Sequence, residues 1–452
     1  MSTPPLSPAS STSPERVPDE ALPRTLAAQL ASFADRQGDR VRVSGSVHRR
    51  RRLKGLAFVI VRDRSGTAQV VVRDPATLLT VESLTEETTI DVIGTVSGNA
   101  QAPGGVEIVD PEITALTDPA ATPPFELWRP TLSAGLPTLL DHGQVSWRHP
   151  RQLATWQLAA ASLHGFRSML DQGGFTEIQT PKLVESATES GSNVFQVDYF
   201  GRPAYLAQSP QFYKQMCVGI FERVYEVGPV FRAEPHDTVR HLAEYVSLDV
   251  ELGFIRDHRD VLAVLRDVLA GMVASIHERA PGAVELLGID VPVVPDAIPV
   301  IPFKEALELV GAPADEPDLA PAHERALGDW ARQQHHSDFL AVEGYPLAKR
   351  AFYTHPQPDD TRWSNSFDLI FRGVELVTGG QRLHRYNDYV AALAARGEPQ
   401  QPYLGYLDTF KHGMPPHGGF AIGLERWTAR VVEADNIREA TLFPRDLHRL
   451  SP

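Results

Sequence analysis

The chain has 452 residues, 42% hydrophobic and 22% charged, the balance of a globular protein of two or three domains, so disorder and collagen-like repeats are excluded for most of it. Lys and Arg total 43 against 57 Asp and Glu, a formal charge of −14, which argues against a protein that coats nucleic acid non-specifically but permits a local basic patch. The single cysteine, Cys217, removes intramolecular disulfides, CxxC redox motifs and Cys-rich zinc sites, so neither zinc nor a redox cofactor is expected. No basic end followed by an apolar core opens the sequence, and the most apolar helical run, VLAVLRDVLAGMVASI, is interrupted by Arg266 and Asp267. A cytoplasmic protein without a secretory signal or membrane span is predicted.

Residues 1–23 are rich in Ser and Pro with almost no large apolar side chains, which predicts a flexible tail. Residues 24–115 contain short β-rich runs, VRVSGSVH, LAFVIVRD, TAQVVVRD, TIDVIGTVSG and GVEIV, separated by turn clusters such as RSG and APGG. Five short strands in so few residues predict a small closed barrel, with the OB-fold as the leading candidate. Residues 116–145 are rich in proline and read as a linker. From 146 to 452 helical stretches alternate with strand-like runs, which predicts one large mixed domain. At its start Leu153, Trp156, Leu163, Phe166 and Leu170 recur with helical spacing, and Gly173 and Gly174 end the pattern.

Four segments carry candidate chemistry. In VGPVFRAEPHDTVRHLAEYVSLDVE a first strand is expected to carry Arg232 and Glu234, a polar loop Arg240 and His241, and a second strand Tyr245 and Asp249. Guanidinium groups match phosphate geometry bidentately, so the hairpin could hold a polyphosphate; a solvated hairpin with surface ion pairs fits the same residues. In GGFAIGLERW a glycine-rich strand runs through Gly423 into a helix near Leu424 that carries Arg426, which would let a ligand approach the backbone. In ELVTGGQRLHRY, Glu375 and Thr378 are oxygen donors suited to Mg²⁺ on phosphates, and Arg382 could meet a carboxylate. The fourth segment, TPKLVESATESGSNVF with YLAQSPQFYKQM, contains Glu189, Gln211 and Lys214. Walker A, Rossmann, HExxH, HIGH and KMSKS signatures are absent, and His335 and His336 read as surface residues.

Together these segments resemble the catalytic domain of the class II aminoacyl-tRNA synthetases. GGFTEIQTPKL is similar to motif 1, FRAE…RHLAEYVSLDVE to motif 2 and GGFAIGLERW to motif 3. An OB-like barrel in front resembles subclass IIb. SATES, QSPQFYKQ, GGQRLH and NIREATLFPRDLHRLSP are most similar to the compact, archaeal-type aspartyl-tRNA synthetases. The resemblance implies an α+β protein: a five-stranded OB-fold barrel followed by a catalytic domain built on an antiparallel sheet flanked by helices.

It also implies a reaction, the attack of L-aspartate on ATP to give aspartyl-adenylate, then transfer to the 3′-hydroxyl of tRNA. Catalytic roles then fall to Arg232 and Arg426. ATP would contact these two with Glu234, Arg240, His241, Tyr245, Glu375 and Gly423, the adenine lying between Tyr245 and Arg426. Glu375 and Thr378 would hold Mg²⁺. Aspartate would contact Glu189, Gln211, Lys214, Asp249, Thr378 and Arg382. Two cations, Lys214 and Arg382, suit a buried side-chain carboxylate and favour aspartate over asparagine.

On the barrel, Phe58 would stack an anticodon base while Gln69 and Glu107 read base edges; Phe58 alone fits barrel core equally well. The basic run His48–Lys54 would supply phosphate contacts. The expected partners are tRNA(Asp), with tRNA(Asn) left open, and a second copy of the chain through motif 1. An amidotransferase is implied only for an enzyme that charges both tRNAs. Trp427 and the charge-poor helix QLAAASLHGF depart from the usual family pattern. The rival readings are a paralogue that adenylates aspartate and passes it to a non-tRNA amine, and a non-catalytic RNA-binding protein.

Overall fold

A computed structural model describes residues 22–185, 193–235 and 237–451. The chain divides into two compact units, the first reaching Ala134 and including 148–150, the second formed by Gly135–Trp147 with residues from Arg151 onwards.

The first unit is a closed barrel of β1 (Arg40–Leu53), β2 (Leu56–Asp63), β3 (Gly66–Val72), β4 (Thr89–Gly98) and β5 (Val106–Ala115), in the order β1-β2-β3-β5-β4. Strand alternation sends Val41, Val43, Ala57, Val59, Val61, Val70, Val72, Ile90 and Val92 into the interior, where β-branched side chains fill the tapering space. A helix, Pro75–Ser83, joins β3 to β4. Its backbone begins where the Asp74 carboxylate accepts the Thr77 N–H at 2.8 Å. It buries only Leu78 and Val81, too sparse a pattern to stand out in the sequence.

The second unit contains β6 (Thr176–Glu177), β7 (Leu183–Val184), β8 (Gln196–Tyr199), β9 (Arg202–Leu206), β10 (Arg223–Phe231), β11 (Glu244–Gly253), β12 (Val300–Pro302), β13 (Phe339–Glu343), β14 (Ser366–Phe371), β15 (Val374–Gln381) and β16 (His417–Gly423). Eight of them form one sheet, β12-β13-β14-β15-β16-β11-β10-β6, antiparallel except at its two edges; β7-β9-β8 form a small second sheet. The helices Pro150–Gln172 and His258–Arg279 pack on one face against Leu248, Val250, Leu252, Leu369, Phe420 and Ile422. Period-two alternation leaves Ser247, Asp249 and Glu251 of β11 on the opposite face.

The predicted helix over Leu153–Leu170 exists, but its fully buried stripe is built largely from Ala154, Leu158, Ala161, Ser162 and Gly165; Leu153, Trp156 and Leu163 are only half-buried. Small residues let the two long helices meet. A Cβ on Gly165 would lie 2.3 Å from the Gly271 carbonyl oxygen. Trp427 is fully buried, stacks on Phe371 with ring centres 5.2 Å apart, and donates its indole N–H to the Ser162 hydroxyl at 2.9 Å. The two sequence departures are thus one packing unit, in which a charge-poor helix accommodates a large aromatic. Among the described residues no helix is long and apolar enough to cross a membrane.

Candidate active site

A cleft of about 390 Å³ opens over β11, β15 and β16 and is lined by Arg232, Glu234, Arg240, His241, Tyr245, Glu375, Thr378, Gly423 and Arg426, among others. All residues assigned from sequence to ATP and Mg²⁺ therefore share one concavity. Strand β10 ends at Phe231, so Arg232 and Glu234 stand in the loop beyond it rather than on a strand. The Arg232 N–H to Ala243 carbonyl bond, 2.8 Å, still holds the two sides of the hairpin together there. Gly423 ends β16 between Tyr245 and Arg426: a Cβ placed on it would lie 3.8 Å from the Tyr245 ring and 3.7 Å from the Arg426 Cβ. The helix Leu424–Val431 then carries Arg426, whose guanidinium donates to the Glu375 carbonyl at 2.7 Å.

Acidic groups gather at the β14–β15 side. Burial and the neighbouring Asp368 push the Glu375 carboxyl up to about 7, against the opposing pull of Arg426. Thr378 donates its hydroxyl to Glu375 Oε1 at 3.1 Å. Asp368 faces Thr378 across the ladder and accepts from Arg350 at 2.8 Å, while its other oxygen, Oδ1, is buried without a hydrogen-bond partner among the described residues. Glu324 accepts from Arg240 at 3.3 Å and from the Glu375 N–H at 2.9 Å.

Beside the cleft lies a buried charge cluster. Lys214 donates to Asp249 at 3.0 Å and to the carbonyls of Val250 and Phe420, and its ammonium lies 3.4 Å from Glu251. Arg382 donates to Glu251 at 3.0 Å, to the Gly419 carbonyl at 3.0 Å and to the Gln211 carbonyl oxygen at 3.5 Å. Burial alone would raise the Glu251 carboxyl, but Arg382 and Lys214 reverse this and hold it below its ordinary range. His417 is held neutral by burial, its proton lost at about 4. Ser247 joins the cluster to the cleft, lining the one and donating to Asp249 at 2.5 Å in the other. Gln211 presents a buried amide nitrogen without a partner among the described residues, the kind of group a ligand satisfies.

Gln211, Lys214, Asp249 and Arg382 are thus together, with Thr378 on the cleft side. Glu189 lies outside the described residues. Lys214 and Arg382 share one buried place, where Asp249 and Glu251 balance them, because two unpaired charges in so dry a place would be costly. Glu251, Ser247, Glu324 and Asp368 were missed. Glu251 and Ser247 alternate with Asp249 on β11, which was the available signal; Glu324 comes from a distant helix and left none.

On the barrel, Phe58 points outward between the interior residues Ala57 and Val59, which removes the core reading. Gln69 and Glu107 are neighbours on β3 and β5 with side chains 2.8 Å apart, and Asn99 also donates to Glu107 at 2.7 Å. The basic run is less free than expected. His48 faces Arg62 and is held neutral by burial, losing its proton at about 4. Arg49 lies over the Trp128 ring, Arg50 donates to the carbonyls of Val81 and Glu82, and Arg52 pairs with Glu82. Arg51 and Lys54 remain exposed, Arg51 directly across from Phe58. Cys217 is half-buried, its thiol pushed up by burial.

A closed barrel with polar and aromatic groups on its outer wall and a mainly antiparallel sheet bearing a cleft lined by both arginines and glutamates make a two-module protein. Residues 136–447 match the family model for class II tRNA synthetases (D, K and N), and residues 41–116 match that of the OB-fold nucleic acid binding domain. The chain belongs to the class II tRNA synthetases of the D, K and N group. It is 44% identical to the aspartate–tRNA(Asp/Asn) ligase of Thermus thermophilus, covering 92% of this chain and 97% of that one. It is 41% identical to that of Aeropyrum pernix, covering 95% and 99%. Among solved structures, asparaginyl-tRNA synthetase from Pyrococcus horikoshii with bound asparaginyl-adenylate superposes with a TM-score of 0.86 at 30% identity, over 93% of this chain and 98% of that one. Aspartyl-tRNA synthetase from Entamoeba histolytica gives 0.85 at 27%, over 100% and 98%.

Proposed function

We propose that the protein attaches L-aspartate to tRNA through an aspartyl-adenylate, using ATP. The observation that carries this reading is the buried cluster of Lys214, Arg382, Asp249 and Glu251 joined through Ser247 to an arginine-lined cleft. A substrate with an ammonium and two carboxylates can exchange with these internal pairs, and the unpartnered Gln211 amide offers it a further donor. Relatives more than 40% identical carry the name aspartate–tRNA(Asp/Asn) ligase, which supports the same reading.

The substrate α-carboxylate is already a nucleophile, so no general base is needed; the chain's work is alignment and neutralisation of charge. In this reading Arg232 meets the α-phosphate and attacking carboxylate, Arg240 and His241 the outer phosphates, and Glu234 the adenine edge. Tyr245 and Arg426 would enclose the adenine ring between an aromatic face and a guanidinium plane. Asp249, Gln211 and Glu189 would bind the substrate ammonium, and Lys214 with Arg382 its side-chain carboxylate. The residues fit Mg²⁺: a buried Asp368 oxygen lacks a donor among the described residues, and burial together with the Asp368 charge raises the proton affinity of Glu375 beside the Thr378 hydroxyl. Bound there, Mg²⁺ would neutralise phosphate charge.

The barrel, residues 24–115, would read the anticodon through Phe58, Gln69 and Glu107, with 116–145 as connection and 146–452 as catalytic domain. Motif 1 would pair two copies into a homodimer working in the cytoplasm. Aminoacylation with labelled aspartate on separate aspartate-tRNA and asparagine-tRNA transcripts, alongside ATP–pyrophosphate exchange, tests the proposal. Charging of the first alone means a discriminating enzyme. Charging of both means a relaxed one whose asparagine-tRNA product an amidotransferase must convert. Exchange without charging would overturn the reading in favour of transfer to another amine.

A further inference from the structure

In a chain of net charge −14, a second cavity of about 590 Å³ is lined by Arg240, Arg325, Arg332, Arg372, Arg426 and Arg430 against only Asp329 and Asp435. It shares Arg240, His241, Arg426 and Ile437 with the ATP cleft and lies beyond them. Its wall is built by a close contact. The β14–β15 turn, where Arg372 and Gly373 both adopt positive φ (47° and 76°), is pressed against the helix Pro321–His335 at Gly328, whose Cβ would lie 2.6 Å from the Gly373 nitrogen. Helical spacing brings Arg325 and Arg332 to one side of that helix, and Arg426 and Arg430 to one side of the other.

Arg372 is fully engaged, with Asp338 and with the carbonyls of Asp290 and Arg430. The others retain donors. Among the described residues Arg430 donates only to the Ala434 carbonyl at 3.3 Å, Arg332 pairs with an exposed Asp329, and Arg325 makes no hydrogen bond or ion pair. Burial, with the adjacent Arg372, lowers the proton affinity of Arg430 even against the opposing pull of Glu433 and Asp435. Guanidinium forks that converge on a concave space match the oxygens of a phosphate chain.

We propose that this cavity is a second anion site, taking a diphosphate-sized ligand, either free inorganic pyrophosphate or the phosphate tail of a second nucleotide. The proposal rests on the neighbouring cleft being the ATP site, whose leaving group is a diphosphate.

The test is equilibrium binding of inorganic pyrophosphate to the full chain with the cleft saturated by a non-hydrolysable ATP analogue. One pyrophosphate per chain is expected. Combining Arg325→Ala with Arg430→Ala should weaken it about tenfold or more, the scale of a lost charged hydrogen bond, with analogue affinity unchanged. A second equivalent of analogue that competes with pyrophosphate identifies the nucleotide tail as ligand; no competition identifies the free diphosphate. No pyrophosphate binding to the analogue-filled protein, or equal affinity in the double variant, overturns the second site. Tighter binding there of a short CCA-ended RNA than of pyrophosphate overturns it in favour of an RNA backbone. Failure of the analogue itself to bind would overturn the cleft reading instead.

Discussion

Lys214 shows how a buried charge is made tolerable: its donors meet Asp249 and two carbonyls, and Glu251 lies close by. Removing it leaves Asp249 without a cation while Arg382 still holds Glu251, a loss of about 3–5 kcal/mol for a broken buried pair. Lys214→Leu should therefore lower the thermal midpoint and abolish aspartate binding while an ATP analogue still binds; retained aspartate affinity would refute the role. Arg232→Ala should lower ATP–pyrophosphate exchange by about a hundredfold or more, the effect of losing one transition-state donor. Near-normal exchange would remove Arg232 from the chemistry. Glu425 gives a pH prediction. Burial pushes its carboxyl from 4.5 up to about 7, although it accepts the Val246 N–H at 3.0 Å. Between those values the folded chain holds a proton that the unfolded chain has released, so this group's stabilisation is full below 4.5 and lost as pH rises through 7. Glu425→Gln should reduce that slope and raise stability at pH 8 by at most about 3 kcal/mol. Thermal melts from pH 5 to 8 with unchanged slope in the variant would contradict it.

At the scale of elements, the site depends on how closely strands and helices approach. Helix Pro150–Gln172 crosses His258–Arg279 at Gly165, where no side chain fits above the Gly271 carbonyl. Gly165→Val should force the helices apart and lower stability by about 1–3 kcal/mol, measured by denaturant unfolding, because overpacked interiors relax only by straining the backbone. An unchanged midpoint would show that the crossing is looser than it looks. Gly419 of β16 does the same work on the site face. A Cβ there would fall 2.1 Å from Glu251 Oε2, in the middle of the charge cluster.

At the scale of the whole molecule, the stretch that matches the class II tRNA synthetases and the stretch that matches the OB-fold nucleic acid binding domain fall largely in separate compact units. Phe58→Ala should then raise the KM for tRNA by about 5- to 100-fold, the worth of one stacked base, and leave ATP–pyrophosphate exchange unaltered. A matching fall in exchange would mean that Phe58 serves the fold rather than the RNA.

Periodicity and local chemistry were enough to read the barrel strands, the long helix ending at Gly173, the strand-to-helix turn at Gly423 and most polar side chains of the cleft, because each is written in neighbouring residues. The helix Pro75–Ser83 was hidden because it buries only two side chains. Whether Phe58 faced in or out was also open, since a strand's alternation gives two faces without saying which is the core. Charge partners were decided only by the tertiary structure. Glu251 meets Arg382 across 131 residues, Glu324 meets Arg240 across 84, and Trp427 reaches Ser162 across 265. A sequence fixes which groups are available. Only packing decides which of them must neutralise one another, because that need arises when folding removes the water between them.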